Sequence, residues 1–287
     1  MRVISVVLLL LVIAIPFSSF AEKAKTLDEM VKMYDSSSCK ECHEEIYMQW
    51  EKSHHARPLM GVREGIFLKG VLSSAFAPKD IKKATKKNFP CFKCHLPQAL
   101  DAEDAVSAEI AQAVAAGDKA IVSKLQITCI VCHNTKAILH RLQEGQPEKG
   151  IVYGSQDIAE HGDSSYKQVK KSVIMKESIF CGQCHGLGPN FDAENPYQCA
   201  TLYGSYIHSY IPSGGTQSCQ ECHMKEGDHL IAPNWNDAGT ADLLSDTILL
   251  DVQTLGYEWL RAKGDLRPKV VVNTTISHKA GHRIPDG

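Results

Sequence analysis

The sequence predicts a mainly α-helical fold with much irregular loop and the start of a small β segment near the C-terminus. Apolar residues recur at helical spacing in the alanine-rich segment 99–116, which Gly117 ends, and again across 237–263, before Pro268. The segment 269–276 is rich in valine and threonine, which is typical of a β-strand. At 287 residues the chain has room for one large domain or two ordinary ones.

The composition is that of a soluble globular protein. Hydrophobic residues make up 44% of the chain and charged residues 22%, which argues against a disordered tail, a collagen and a polytopic membrane protein. The formal net charge of −2 does not support nucleic-acid binding, which usually requires a strong basic excess. The 11 cysteines are too sparse for a disulfide scaffold, and their odd number rules out complete internal pairing.

The N-terminus has the pattern of a cleaved secretory signal. A positive start at Arg2 precedes an apolar run at residues 3–15, Pro16 breaks the run, and small residues flank Phe20. A membrane-spanning helix needs about 20 apolar residues, so this run is too short to be an anchor. We therefore expect cleavage after Ala21, export to the periplasm or the cell surface, and no transmembrane span in the mature protein.

Ten of the 11 cysteines fall into five copies of the pattern C-x-x-C-H. Motifs 1 to 5 are, in order, Cys39, Cys42 and His43; Cys91, Cys94 and His95; Cys129, Cys132 and His133; Cys181, Cys184 and His185; and Cys219, Cys222 and His223. This spacing is the attachment site of a c-type haem, in which the two thiols form thioethers on one edge of the macrocycle and the histidine supplies the proximal nitrogen to iron. The sequence thus predicts five covalently bound c-type haems, haem 1 to haem 5, each with one iron.

Three other interpretations of the cysteine pattern explain less. A thioredoxin-like pair needs only C-x-x-C and gives no reason for a histidine after every copy. Zinc sites combine two dithiols, which gives an even number of copies, and need no adjoining histidine. Disulfides would form in an oxidising compartment but would leave the histidines unexplained. Cys199 lies outside every motif and is expected to be a buried thiol or to form an intermolecular disulfide.

Thirteen histidines are present, and eight of them lie outside the motifs. These eight are His54, His55, His140, His161, His208, His229, His278 and His282. Five bis-histidine haems would use five of the eight, so most are expected to be sixth ligands. His140 follows His133 by two helical turns and shares its face, so it would serve another haem or none. Methionine is the other common axial ligand, with Met175 and Met224 as candidates, although methionine more often packs in a core.

The spacing of the motifs indicates how the chain is organised. The motifs begin at intervals of 52, 38, 52 and 38 residues, which is consistent with a duplicated two-haem unit. Only about 53 residues of the mature chain are available per haem, so the haems are expected to form much of the core. The predicted regions are a signal peptide at 1–21, a pentahaem c-type cytochrome domain at 22–235, and a helix with the start of a C-terminal β segment at 236–287. A lone strand cannot complete its own ladder, so we expect it to pair outside the chain or the sequence to be truncated.

Four stretches carry a family resemblance: CKECHEEIYMQWEKSHHA at 39–56, VYG at 152–154, SIFCGQCH at 178–185 and CQECHM at 219–224. They resemble multihaem cytochromes c, specifically cytochrome c-554-like proteins and their larger periplasmic and outer-surface relatives. The ending GHRIPDG at 281–287 is similar to a loop that opens a C-terminal β-domain in such relatives. The resemblance covers most of the mature chain, although the haem motifs dominate it.

The resemblance also implies distal ligands. The histidines that match the family pattern are His55, His161, His229 and His282, with His161 as the nearest match to a histidine upstream of motif 4. The sequence departs from the pattern just before that motif, where Met175 stands in place of a further histidine. The candidates left open for the fifth distal ligand are His140, which would complete a set of ten histidine ligands, His208, Met175 and none at all.

Closely packed haems predict electron transfer as the function. Five haems in so short a chain must approach one another, and electrons then pass from ring to ring. No Ser-His-Asp set, Walker loop or dinucleotide fingerprint calls for a substrate. The sequence therefore favours a non-enzymatic electron carrier in the periplasm or outside the cell.

Two alternatives remain open. One is conversion of a small nitrogen compound at a haem with an open sixth position. Five-haem nitrite reductases use lysine as the proximal ligand of the active haem, whereas all five motifs in this chain end in histidine. The other is a subunit of a haem filament or of an outer-membrane electron conduit, with copies of the same chain as partners. Redox proteins are the expected partners, and five lysines within 79–87 would dock an acidic one or form a solvated helix face.

Overall fold

The computed structural model describes residues 23–60, 65–66, 69, 79–89, 91–134, 147–186, 201–234, 237–262 and 265–284. The predicted signal peptide at 1–21, the candidate ligand His140 and the lone Cys199 lie outside these residues. The described part of the chain consists of short helices joined by irregular loops, together with two small two-stranded sheets. This architecture agrees with the predicted mainly helical class.

Most of the described helices have only one to three turns. In chain order they are α1 (Leu27–Met33), α2 (Glu44–Lys52), α3 (Phe92–His95), α4 (Asp104–Ala116), α5 (Lys119–Val122), α6 (Cys129–His133), α7 (Ser178–His185), α8 (Leu202–Ser205), α9 (Cys219–His223) and α10 (Ala238–Thr247). Turns of 3-10 helix lie at Ser37–Glu41, His54–Ala56, Ile81–Lys83, Pro97–Asp101, Val173–Lys176 and Lys225–Gly227, and a π-helical turn lies at Tyr206–Tyr210. None of these helices combines the length and the apolar composition needed to cross a bilayer.

An all-protein core is built around α4. Val106, Ile110 and Val114 lie one helical turn apart on its inner face and are fully buried. They belong to one apolar cluster with Phe89 and Phe92, which lie at the start of motif 2. Burial of a side chain of this size contributes roughly 2 kcal/mol. The cluster therefore gives motif 2 a rigid support that consists of protein alone.

The helix predicted at 99–116 is confirmed, with different boundaries. The segment begins in the 3-10 turn Pro97–Asp101, where Leu100 is 43% exposed and does not join the inner face. The helix ends at Gly117, as predicted, because its φ of 78° lies in the left-handed region that glycine adopts without steric cost.

A small parallel sheet holds the loop that carries His161. It consists of β1 (Ile151–Gly154) and β2 (Gln168–Lys171). Within the connection, the backbone N–H of His161 donates to the carbonyl oxygen of Lys167 at 2.7 Å. The fold thereby fixes the position of a histidine that lies in neither a helix nor a strand.

The C-terminal segment corrects a prediction. In the segment predicted as one helix over 237–263, only α10 is helical, and the residues after it form β3 (Ile248–Ala262). β3 pairs antiparallel with β4 (Asp265–His278), with a bulge between Thr254 and Gly256. The strand predicted at 269–276 is confirmed, and its ladder partner is β3 rather than a segment outside the chain.

The apolar residues of β3 fit both a helical and a strand period, which explains why this segment was predicted to be a helix. The apolar spacing of four, three and four residues from Ile248 to Trp259 fits a helix. In the strand, the bulge at Leu255 shifts the alternation by one residue, so that Val252 and Tyr257 still lie on one face. The long ladder with the valine-rich β4 decides between the two patterns, and a ladder partner is not visible in a local window.

The hairpin of β3 and β4 is amphipathic. Leu250, Trp259 and Ile276 on one face each expose more than half of their surface. On the other face, Lys269 and Glu258 form an ion pair with an Nζ–Oε1 distance of 3.1 Å. In the described part of the chain the apolar face is thus turned toward solvent.

The lysines within 79–87 do not form the helix face expected of them. The segment is irregular apart from the 3-10 turn Ile81–Lys83. Nζ of Lys86 donates to the carbonyl oxygens of Leu100 and Ala102, each at 3.0 Å, and burial lowers the pKa of this lysine. One of the five lysines therefore ties the segment to the core.

Candidate haem-binding site

Each cysteine motif lies on a short helical turn. Motifs 2, 3 and 5 fall on α3, α6 and α9, motif 4 ends α7, and motif 1 starts in the 3-10 turn Ser37–Glu41. Residues three positions apart on a helix point to the same side, so the two cysteines of a motif face one way. The backbone N–H groups of His43 and His95 donate to the carbonyl oxygens of Cys39 and Cys91, each at 2.9 Å. These bonds bring the histidine round to the side of the first cysteine.

The structure places four of the five motif histidines opposite a histidine from outside the motifs. The pairs and the distances between their ring centroids are His43 with His161 at 6.1 Å, His185 with His55 at 6.1 Å, His133 with His229 at 6.4 Å, and His223 with His282 at 6.0 Å. All four outside histidines are ones that the family resemblance implies. The partners are 59 to 130 positions apart in the chain, so only the tertiary fold brings them together.

The spacing within each pair suits a shared metal. Two imidazoles that bind one metal from opposite sides, at about 2.0 Å per bond, hold their ring centroids about 6 Å apart, since each centroid lies about 1 Å behind its nitrogen. The four distances between ring centroids, 6.0 to 6.4 Å, are close to this value. The four pairs therefore have the separation expected of axial ligands on a common iron.

Backbone carbonyls orient most of these rings through Nδ1. The donors and acceptors are His161 to Tyr166 at 2.8 Å, His229 to Gly227 at 2.6 Å, His282 to Arg283 at 2.9 Å, His95 to Pro58 at 2.9 Å, His133 to Tyr153 at 2.6 Å, and His223 to Ala232. A histidine that donates from Nδ1 presents the lone pair of Nε2 on its far side. The carbonyls thus select the tautomer that a metal requires.

The protein surroundings keep several of these histidines neutral. Burial lowers the pKa of His55 to about 4 and also lowers the pKa values of His95, His185 and His223. His185 is nonetheless exposed to solvent on part of its surface. Neutral imidazole carries the lone pair that binds a metal, whereas the protonated ring does not.

Contacts between cysteines identify the neighbouring motifs. The thiols that lie close enough to shift each other's pKa are Cys39 with Cys129, Cys94 with Cys184, and Cys181 with Cys219. They join motif 1 to motif 3, motif 2 to motif 4, and motif 4 to motif 5. The charge of Cys132 also contributes to raising the pKa values of Cys181 and Cys184, after the effects of their thiol partners and of burial, so motif 3 lies near motif 4. Motif 4 is therefore central among the five.

Polar side chains fasten motif 5 to motif 4. The backbone N–H of Cys219 donates to Oγ of Ser178 at 3.1 Å. Nε2 of Gln220 donates to the carbonyl oxygens of Met175 and Glu177 at 2.9 and 3.0 Å. These bonds set the start of α9 against the start of α7, on which motif 4 ends.

Helix α2 and the turn after it position two of the outside histidines. Nε1 of Trp50 donates to the carbonyl oxygen of Ile127 at 2.9 Å, and the N–H of Ile127 donates to the carbonyl oxygen of His55 at 2.9 Å. On the same helix, Oε1 of Gln49 accepts from the backbone N–H of His229 at 3.0 Å. The segment that follows motif 1 therefore helps to position the histidines that lie opposite motifs 3 and 4.

The other candidates for a sixth ligand lie in three different parts of the chain. His208 is exposed on the π-helical turn, and Met175 lies in the 3-10 turn before α7. His140 lies outside the described residues. The sixth ligand of haem 2, opposite His95, therefore stays a prediction.

Sequence reasoning did not find the carbonyl acceptors or the assignment of outside histidines to motifs. The acceptors belong to the backbone of residues such as Pro58, Tyr153 and Ala232, and a backbone oxygen leaves no mark in a side-chain pattern. The pairing depends on the path of the chain between motifs. No local signal in the sequence would have revealed either feature.

The donors present fit c-type haems. Paired thiols on one side of a turn can form the two thioethers, and paired neutral imidazoles can fill both axial positions of an iron. The structure supplies five such thiol pairs in its described residues, and all ten of these cysteines are outside any disulfide.

Comparisons with known proteins point the same way. Residues 38–134, which contain motifs 1 to 3, match the family model "Cytochrome c554 and c-prime". No curated protein matches the chain. The chain is similar in structure to a penta-heme cytochrome c552 from Thermochromatium tepidum, with 19% sequence identity and a TM-score of 0.53, over 90% of this chain and 68% of that one. The predicted resemblance to multihaem c-type cytochromes, with several iron-containing c-type haems, is confirmed.

Proposed function

We propose that this chain, a multihaem c-type cytochrome, is an exported electron carrier that passes electrons among five covalently bound haems. The observation that carries the proposal is the set of four histidine pairs at the spacing of a shared metal. Two histidine ligands occupy both axial positions of an iron and leave none for a substrate. Haems of this kind suit electron transfer rather than catalysis.

The four histidine pairs support a ligand assignment for four haems. The proposed axial pairs are His43 and His161 for haem 1, His133 and His229 for haem 3, His185 and His55 for haem 4, and His223 and His282 for haem 5. Haem 2 would bind through His95, with His140 as its proposed sixth ligand. The ten motif cysteines would form the thioether links.

The contacts between motifs support an order for the haems. Haem 1 would neighbour haem 3, and haem 4 would neighbour haems 2, 3 and 5. The bonds between α7 and α9 hold the sites of haems 4 and 5 together. We therefore propose a branched path with haem 4 at its junction.

The proposed location is the periplasm or the cell surface. It rests on the signal pattern at residues 1–21 and on c-type haem attachment, which takes place after export. Residues 22–235 would form the pentahaem domain, and residues 236–287 the segment with α10 and the hairpin. Redox proteins of the same compartment would be its partners.

The number of haems and their spin state test the function. The chain is expressed with residues 1–21 in a host that attaches haem c, and the intact mass of the purified protein is measured. We expect a polypeptide that begins at residue 22 and carries the mass of five haems. Electron paramagnetic resonance of the oxidised protein should then show low-spin iron at four haems or more. A fully loaded protein with fewer haems, or with mostly high-spin iron, would contradict the proposal.

A further inference from the structure

The histidine pair of haem 4 differs from the other three in its ring angle. The planes of His55 and His185 cross at 76°. In the pairs of haems 1, 3 and 5 the planes lie at 17°, 21° and 20°. A crossed arrangement is therefore confined to one of the four described pairs.

The same pair differs in its hydrogen bonds. In haems 3 and 5 both rings donate from Nδ1 to a carbonyl, and in haem 1 His161 does so. Within the described residues, neither ring of the haem 4 pair makes such a bond, and Nδ1 of His55 is shielded from solvent without a partner. The backbone carbonyl of His55 accepts from the N–H of Ile127, but no carbonyl in the described part of the chain accepts from its ring.

The hydrogen bond from Nδ1 matters for the iron because it raises the basicity of the ligating nitrogen. A more basic ligand stabilises the ferric state, which carries the additional positive charge, and lowers the reduction potential. A haem whose two ligands lack this bond holds an added electron more strongly. Among the described residues, the number of Nδ1 bonds to backbone carbonyls is zero for haem 4, one for haem 1, and two each for haems 3 and 5.

We propose that haem 4 has the highest reduction potential of these four haems and is the site at which an electron comes to rest. The inference depends on the proposed electron-transfer function. Motif 4 adjoins motifs 3 and 5, so an electron that enters through either of these neighbours would collect at haem 4. Haem 1 should have the next highest potential, with haems 3 and 5 below it.

A redox titration of the holoprotein, followed by electron paramagnetic resonance, tests the order. A low-spin ferric haem with crossed imidazoles gives a signal at larger g than one with near-parallel imidazoles, so haem 4 is visible separately. As the potential is lowered, this large-g signal should disappear before those of the near-parallel haems. Its disappearance together with or after the signal of haem 1, 3 or 5 would overturn the inference.

Substitution of His55 tests whether the large-g signal comes from haem 4. Methionine has no ring plane, so His55→Met should remove the large-g signal and leave the near-parallel signals in place. The matched control is His229→Met, which should remove one near-parallel signal and leave the large-g signal. A large-g signal that survives in a folded His55→Met protein would overturn the inference. If that variant does not fold, the order of reduction in the unmodified protein still decides.

Failure of this inference is distinguishable from failure of the proposed function. Too few haems, or high-spin iron throughout, would contradict the electron carrier itself. Five bound haems with low-spin signals, of which the large-g signal is absent or is not reduced before those of haems 1, 3 and 5, would contradict only the assignment of haem 4.

Discussion

His54 and His55 are neighbours in the chain, yet only His55 lies opposite a motif histidine. Helical spacing after motif 1 leaves both as candidates, and the family resemblance selects His55. The structure shows the physical basis of that choice: the 3-10 turn after α2 turns His55 toward His185, while His54 remains half-buried beside Arg57. His55 is therefore a candidate ligand, whereas its neighbour His54 is not.

Loss of a single distal ligand should change the spin state of one haem. His161→Ala removes the proposed sixth ligand of haem 1, so we expect one haem per chain to become high-spin when oxidised and to bind carbon monoxide when reduced. Electron paramagnetic resonance and the visible spectrum measure both effects. His278→Ala, at the exposed end of β4, is the control and should change neither. An unaltered low-spin content in His161→Ala would exclude this histidine as a ligand.

Loss of volume in the protein core should reduce stability without loss of haem. Ile110 is fully buried in α4, so Ile110→Ala should lower the free energy of unfolding by about 3 kcal/mol. Urea denaturation followed by circular dichroism measures the change, and the haem content should remain the same. Glu109→Ala, on the exposed side of the same helix, should cost less than about 0.5 kcal/mol. Equal losses for the two variants would contradict the placement of the core.

Helices and strands that depend on contacts between residues close in the chain are predicted well from local sequence patterns. The helix α4 ends at Gly117 as expected, because a left-handed glycine is a signal within the chain itself. The strand β3 was predicted as a helix, because its pairing with β4 extends over as many as 30 positions. The apolar residues of β3 fit both the helical and the strand period, and the hydrogen-bonded ladder with β4 favours the strand.

Substitution on the apolar face of the hairpin should be tolerated. Ile276 is 70% exposed, so Ile276→Thr keeps a β-branched side chain and should change the free energy of unfolding by less than about 0.5 kcal/mol. Denaturation of the holoprotein measures this. A loss of several times that value would mean that the face is covered in the native protein.

At the scale of the whole molecule, the site of motif 4 connects the others. Its histidine faces the segment after motif 1, its cysteines contact motifs 2 and 5, and motif 3 lies close by. The segments between motifs therefore cross over one another, and each motif site draws ligands from a distant part of the chain. Removal of a peripheral motif should accordingly disturb the molecule less than removal of motif 4.

The number of electrons that the protein takes up reports how many of the five proposed haems are bound. A reductive titration of the holoprotein should consume five electron equivalents per chain, one for each motif. The double variant Cys39→Ala, Cys42→Ala removes the attachment of haem 1 at the periphery and should consume four. The corresponding double variant at Cys181 and Cys184 should lower haem content by more than one, because motif 4 contacts its neighbours. A loss of one haem from each variant would contradict the central role of motif 4.

The haem attachment motifs can be predicted from the sequence, since two thiols and a histidine within five positions carry the groups needed for covalent attachment and proximal ligation. It also indicated the packing helix α4 and the strand β4, whose signals lie within single segments. The tertiary structure was needed to show which outside histidine faces which motif, which carbonyls accept from the rings, and that β3 is a strand. Those features join residues dozens of positions apart, and the energy that selects them comes from packing and pairing that no local window contains.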